Sequence, residues 1–266
     1  MDRLILPQLV DTTLRDGEQA AGLAFSAAEK QQIALALDQA GIRWIEAGTP
    51  AMGPIEQEGL RLILATPLDA TVFSWNRAMP EDILASIHCG FSFLHISVPV
   101  SDLHIERKLK KDRQQVLFSL TQAVSMARSY GCEVSVGAED ASRADPEFFL
   151  QVADTAAKLG AQRIRYADTI GRLDPFRTAD IFRDLIPRCP LPVEFHGHND
   201  FGLATANTLS ALQSGAALAS VTIGGIGERA GNANLAEVAT ALSRIIHHES
   251  SPDLTALPDF SPLLAQ

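Results

Sequence analysis

Cysteine is scarce in this chain: Cys89, Cys132 and Cys189 lie far apart and form no CxxC pair. They build no disulfide framework and fit a reduced, cytoplasmic setting. Positive charge is in deficit too, with 22 Lys and Arg against 32 Asp and Glu and a formal net charge of −10. That balance argues against nonspecific binding to nucleic acid or to anionic membranes. No uninterrupted apolar stretch approaches the ~20 residues a membrane span requires. The segment Met1-Asp2-Arg3-Leu4-Ile5-Leu6-Pro7 lacks the charged-then-apolar run of a signal peptide. Arg43, Trp44 and Trp75 show no stacking pattern for bases. A soluble, cytoplasmic protein is expected, with neither nucleic acid nor membrane as partner.

What the chain does have is alternation. Short β-rich runs and longer helical patterns follow one another from end to end, the signature of a parallel sheet with covered faces. The strand candidates are Gln8–Thr12, Trp44–Ala47, Ala70–Ser74, Phe93–Val98, Glu133–Val136, Arg163–Tyr166, Val193–His196 and Ser220–Ile223. Ser26-Ala27-Ala28-Glu29 reads as a capping box, and Asp145-Pro146 and Asp174-Pro175 each set a capping carboxylate before a proline. An open dinucleotide fold would carry GxGxxG after its first strand. Here Thr12-Thr13-Leu14-Arg15-Asp16-Gly17-Glu18 follows instead. Eight units in 266 residues predict an α/β fold of the closed kind, a (β/α)8 TIM barrel over residues 1–249, with a Ser- and Pro-rich tail at 250–266.

A barrel builds its site from the C-terminal ends of different strands, and uncommon polar residues gather there. The ends carry Arg15-Asp16, Glu46, His95, Glu139-Asp140, Asp168-Thr169, His196-Gly197-His198-Asn199-Asp200 and Gly227-Glu228-Arg229-Ala230-Gly231-Asn232. Residues i and i+2 of a strand share a side, so His196 and His198 can meet one metal ion. The bland alternative is a pair of hydrogen-bonded histidines. Asp16 at another strand end completes a two-His, one-carboxylate set with open positions for substrate oxygens. Arg15 reads either as a salt-bridge partner or as a fixed cation facing an oxygen that gains charge. Glu46 and Glu139 read as ligand-orienting or proton-transfer groups, and His95 as a satisfied core histidine or a site residue. Gly224-Gly225-Ile226-Gly227 reads as a tight turn or a phosphate cradle. Lys108, Lys110, Lys111 and Arg113 read as a solvated face or as a contact for the phosphates of an acyl carrier such as coenzyme A.

Asp11-Thr12-Thr13-Leu14-Arg15-Asp16-Gly17-Glu18-Gln19, His196-Gly197-His198-Asn199-Asp200 and Gly227-Glu228-Arg229-Ala230-Gly231-Asn232 resemble the DRE-type metal-dependent barrel family. Its members include isopropylmalate, citramalate and homocitrate synthases and HMG-CoA lyase. The resemblance runs from about Gln8 to Leu242. Within it, Ala20-Ala21-Gly22, Gly48-Thr49-Pro50-Ala51-Met52-Gly53, Ser97-Val98-Pro99-Val100-Ser101-Asp102 and Val136-Gly137-Ala138-Glu139-Asp140-Ala141-Ser142-Arg143 look most like the homocitrate synthases associated with nitrogen fixation.

The resemblance implies a divalent cation (magnesium, manganese or zinc) on Asp16, His196 and His198, with Asn232 at or near it. It implies that Arg15 is the catalytic arginine and that Glu46, His95, Glu139 and Thr169 line a 2-oxo-acid pocket; among in-barrel residues Glu139 is also the candidate base. Acetyl-CoA and a 2-oxo acid, 2-oxoglutarate foremost, are the implied substrates, and a homodimer the implied assembly. Where lysine-pathway relatives place an arginine on strand five, this chain reads Ser135. The family's synthases continue past the barrel into a region that supplies a histidine and a tyrosine. Here the sequence runs to Gln266, and His247 and His248 are not taken as replacements. Two other functions compete: a lyase of the HMG-CoA lyase type, and a barrel subunit that needs a partner for turnover.

Overall fold

A computed structural model describes residues 7–245 and 252–256. Eight parallel strands close in sequence order into one barrel, the (β/α)8 TIM barrel expected: β1 (Gln8–Asp11), β2 (Trp44–Gly48), β3 (Thr71–Arg77), β4 (Phe93–Pro99), β5 (Glu133–Glu139), β6 (Ile164–Asp168), β7 (Val193–Gly197) and β8 (Leu218–Val221). The seam is the pairing of β1 with β8, in register from Gln8–Leu218 to Asp11–Val221. The surrounding helices are α1 (Ala27–Gln39), α2 (Pro54–Leu64), α3 (Pro80–Cys89), α4 (Arg113–Ser129), α5 (Pro146–Lys158), α6 (Pro175–Leu185), α7 (Ala204–Gln213) and α8 (Leu235–Arg244).

The helix starts follow their sequence signals. Ser26 and Glu29 form a full capping box on α1, and Asp145 and Asp174 cap α5 and α6 with proline at the first helical position. The strands differ at their C-terminal ends: β3 reaches Arg77, β4 Pro99 and β5 Glu139, all beyond the apolar runs that marked them. β8 begins two residues earlier than expected, at Leu218. The basic cluster is also divided. Lys108 lies on a π-helical turn (His104–Leu109), and Arg113 is spent on Asp102 and Asp145. His247 and His248 lie outside the described residues, as does most of the 250–266 tail. Of that tail, Asp253 donates its backbone N–H to the Ala40 carbonyl at the end of α1. Among the described residues no helix is long and apolar enough to cross a membrane.

Alternation along the strands stacks the barrel interior. Its floor is aromatic: Trp44 packs edge to face on Phe73 and on Phe93, which are tilted against each other, with the Arg163 guanidinium 4.1 Å over the Trp44 ring. Two residues further along their strands come Glu46, His95 and Arg165, joined by Glu194, Ser135 and Ser220. Above these lie the strand ends and the site.

Candidate active site

The ends of two strands, β1 and β7, bring Asp16, His196 and His198 together, all buried. The His196 Nε2 atom is 3.1 Å from Asp16 Oδ2, and His198 Nε2 is 4.0 Å from the same oxygen. The two Nε2 atoms face each other at 3.3 Å, with ring planes 87° apart. Burial and the neighbouring His196 push His198 down to about 4, so at neutral pH it presents a lone pair. Burial opposes the Asp16 charge, but Arg15 and the His196 contact hold its carboxyl well below the usual range. Among the described residues, neither Nδ1 atom has a partner, and the buried Oδ1 of Asn232 has none either. Asn232 Nδ2 lies 3.4 Å from Asp16 Oδ1. Two ring nitrogens pressed together beside an ionised carboxylate form a donor set that a divalent cation fits.

Arg15 ties this cluster to the barrel interior. Its Nη1 is 3.0 Å from Asp16 Oδ2, its Nε donates to Glu46, and its guanidinium lies 5.7 Å from the Trp75 ring centre. Glu46 in turn accepts from Arg165 at 2.5 Å, and Arg165 donates its Nε to Glu194 at 2.6 Å. Glu194 also accepts from Arg163 at 3.0 Å and from Ser220 at 2.6 Å. A ladder of alternating charge thus runs from the floor to Arg15. Burial alone would raise both glutamates, yet Arg15 and Arg165 hold Glu46 at about 2, and Arg165 and Arg163 hold Glu194 at about 2. Desolvation opposes the Arg165 charge, but Glu194 and Glu46 outweigh it and strengthen its hold on the proton.

Arg15, Asp16, His95, Glu139, Thr169, His196 and His198 all line one cavity of about 180 Å³. Two other expected site residues are absent from its wall: Glu46 stands behind Arg15, and Asn232 stands behind Asp16. Glu139, at the rim, is held by Lys108 Nζ at 2.7 Å and His104 Nδ1 at 3.1 Å. Thr169 Oγ1 accepts from the Asp140 backbone. His95 pairs its Nδ1 with Ser135 Oγ at 2.8 Å, while its Nε2 has no partner among the described residues. The glycine turn after β8 serves packing. A Cβ on Gly231 would sit 2.0 Å from the Gly225 carbonyl oxygen, and one on Gly227 would sit 2.2 Å from Asn232 Nδ2. Sequence reasoning passed over Arg165, Glu194 and His104. The signal for Arg165 and Glu194 was present, because each lies on a strand at a spacing of two from another inward-facing residue, Arg163 and His196.

A family model described as HMGL-like matches residues 6–263. The chain belongs to the HMGL-like family. Among its HMGL-like relatives, 2-isopropylmalate synthase 2 of Caldanaerobacter subterraneus subsp. tengcongensis is 46% identical, over 97% of this chain and 67% of that protein. The homocitrate synthase of Frankia alni is 47% identical over 96% of this chain and 73% of its own length. The homocitrate synthase subunit alpha of Clostridium pasteurianum is 46% identical over 84% of this chain and 83% of its own. This chain therefore spans about two thirds to three quarters of the first two. The HMG-CoA lyase structure from Bacillus subtilis superposes with a TM-score of 0.84 at 18% identity, covering 94% of this chain and 90% of that one, which supports the fold alone.

Proposed function

We propose that this HMGL-like barrel is a metal-dependent acyltransferase of the homocitrate synthase type, joining the acetyl group of acetyl-CoA to a 2-oxo acid. The observation that carries it is the convergence of Asp16, His196 and His198 on one point of a cavity that Arg15 also lines. Asp16, His196 and His198 would hold a divalent cation, with Asn232 beside them, and that ion when bound supplies Lewis-acid polarisation of the 2-oxo acid carbonyl. Thr169 and His95 face the 2-oxo acid from the wall. Glu139 takes the proton from the acetyl methyl group, steadied by Lys108 and His104. As the resulting carbanion adds to the keto carbon, negative charge moves onto the keto oxygen, and Arg15 faces it. Glu46 acts through Arg15: it fixes the guanidinium and does not touch the substrate. Water then cleaves the thioester, releasing the hydroxy acid and coenzyme A. The identity of the relatives, a homocitrate synthase at 47% and an isopropylmalate synthase at 46%, supports this reaction class.

The test is thiol release from acetyl-CoA by the purified chain with a divalent metal and a panel of 2-oxo acids. Release is expected with 2-oxoglutarate, and His196→Ala is expected to lose both bound metal and release. Unchanged metal content in that variant would sink the metal centre. Cleavage of a 3-hydroxyacyl-CoA without condensation would make the chain a lyase. A second reading has one specific support, the 46% identity over 83% of the length of a relative named as subunit alpha. On that reading the chain binds metal and 2-oxo acid but releases thiol only with a partner polypeptide.

A further inference from the structure

This inference rests on the reading of Asp16, His196 and His198 as a divalent-cation site. We propose that Lys30, on the helix layer outside the barrel, is a positioning residue for that site, holding in place the turn that carries Arg15 and Asp16. Lys30 occupies a core position of α1: with Ile33, Ala34 and Leu37 it makes the buried i, i+3, i+4, i+7 stripe of that helix. At 4% exposure its ammonium is stable only with partners, and it has two. Its Nζ lies 2.7 Å from Glu18 Oε2 and 2.6 Å from Glu56 Oε2. Each glutamate turns its other oxygen to the backbone of a loop. Glu18 Oε1 accepts from the Phe25 N–H at 2.9 Å, closing the segment between β1 and α1. Glu56 Oε1 accepts at 3.2 Å from the N–H of Thr49, the residue that follows β2. Gly48 makes room for this contact, since a Cβ there would lie 2.1 Å from Glu56 Oε1.

The short backbone ladder between β1 and β2 leaves work for these side chains. It registers Val10–Trp44 and Asp11–Ile45, half of the four pairs that join β1 to β8. Past Asp11, side-chain bridges span the two strand exits. Inside the mouth, Arg15 bridges Asp16, which follows β1, to Glu46 on β2. On the helix side, Lys30 bridges Glu18, which also follows β1, to Glu56, which holds the residue after β2. Glu18 belongs to the 3-10 turn Gly17–Gln19 that opens directly after Asp16, and Gln19 lines the cavity with Arg15 and Asp16. The Gln19 N–H donates to the Asp16 carbonyl at 3.1 Å, so the turn and the metal-ligating residue move together. Without the Lys30 ammonium, two largely buried carboxylates share one space with no cation between them, and their repulsion drives the turn away from α2. Asp16 is then displaced from the histidines although no ligand has been altered.

The test measures metal affinity and not turnover. The full chain is titrated with manganese chloride by calorimetry, while circular dichroism follows its fold and melting temperature. Lys30→Met is expected to weaken manganese binding by roughly 10- to 100-fold, the range for a residue that orients a metal ligand without touching the metal. Glu18→Ala cuts the same link but leaves a neutral Lys30–Glu56 pair, so it carries the test with no stranded charge if Lys30→Met fails to fold. A comparable loss is expected from it. Because both residues act through one turn, the double variant is expected to lose little more than Lys30→Met alone. A purely structural ion pair would lower the melting temperature and leave the affinity of the folded chain untouched. A folded variant of either kind that binds manganese as the wild type does therefore overturns the inference, and so do losses that simply add in the double variant. Either result leaves the metal centre standing. A wild type that binds no manganese overturns both.

Discussion

Two histidines spaced by one residue are common at strand ends, and the spacing alone left a hydrogen-bonded pair as an equal reading. The decisive atom is Asp16 Oδ2, 3.1 Å from His196 Nε2 although the residues are 180 positions apart. Sequence exposed the chemistry-bearing types at the top of the barrel because Asp16, His196 and His198 fall at or just past the ends of the expected strands. It hid Arg165 and Glu194 for the opposite reason. A charged residue inside a strand reads as the solvated half of an alternation, and only closure of the barrel shows that both are buried. Asp11 is a third buried charge, and it behaves differently. Burial pushes its carboxyl up to about 7, against two hydrogen bonds from Thr13. The folded chain therefore keeps a proton that the unfolded chain releases near about pH 4. That contribution favours folding below about pH 4 and is lost as the pH rises through about 7. Asp11→Asn keeps an acceptor for the Thr13 N–H and removes the titration. Its melting temperature should exceed that of the wild type at about pH 8, and its stability should no longer fall between about pH 4 and 7. A variant that keeps the wild-type slope would exclude Asp11 as its source.

At the scale of the element, starts were legible and strand ends were not. Ser26, Asp145 and Asp174 announce their helices because a cap is a local contract between a side-chain oxygen and a backbone N–H two or three residues on. The expected strands stopped at Ser74, Val98 and Val136, short of Trp75 to Arg77, Pro99 and Gly137 to Glu139, and of these residues Trp75 and Gly137 to Glu139 line the cavity. A reading built on apolar runs stops where function begins. The caps give a prediction independent of the site. Asp174 accepts from the backbone of Phe176 at 2.9 Å and of Arg177 at 3.0 Å. Asp174→Ala strands both donors at the start of α6, and is expected to cost about 1 kcal/mol in denaturant unfolding. Metal content and ligand affinity should not change, since Asp174 does not line the cavity. An effect on metal affinity would mean that α6 carries strain into the site.

At the scale of the whole molecule, the candidate centre lies close to the seam that closes the barrel. Asp16 follows β1, the histidines end β7 or lie just past it, and Asn232 comes from the loop after β8, where its N–H donates to Gly225 and its side chain to Ile226. An ion held by Asp16, His196 and His198 would therefore join the first strand to the seventh across β8, bracing the β1–β8 pairing. Without the ion, the three ligands must tolerate two facing ring nitrogens at 3.3 Å and the unpartnered Nδ1 atoms. Binding and stability are then linked: an ion that binds the folded chain alone stabilises it by about 2.7 kcal/mol at one hundred times its dissociation constant. Chelation with EDTA should lower the melting temperature of the wild type, and added magnesium or manganese should restore it. Asp16→Asn should remove that metal-dependent increment even if the variant's own melting temperature is unchanged, because an amide is a poor ligand for the cation but still accepts from Arg15. A metal-dependent increment of wild-type size in Asp16→Asn would show that the ion binds elsewhere and does not bridge the seam.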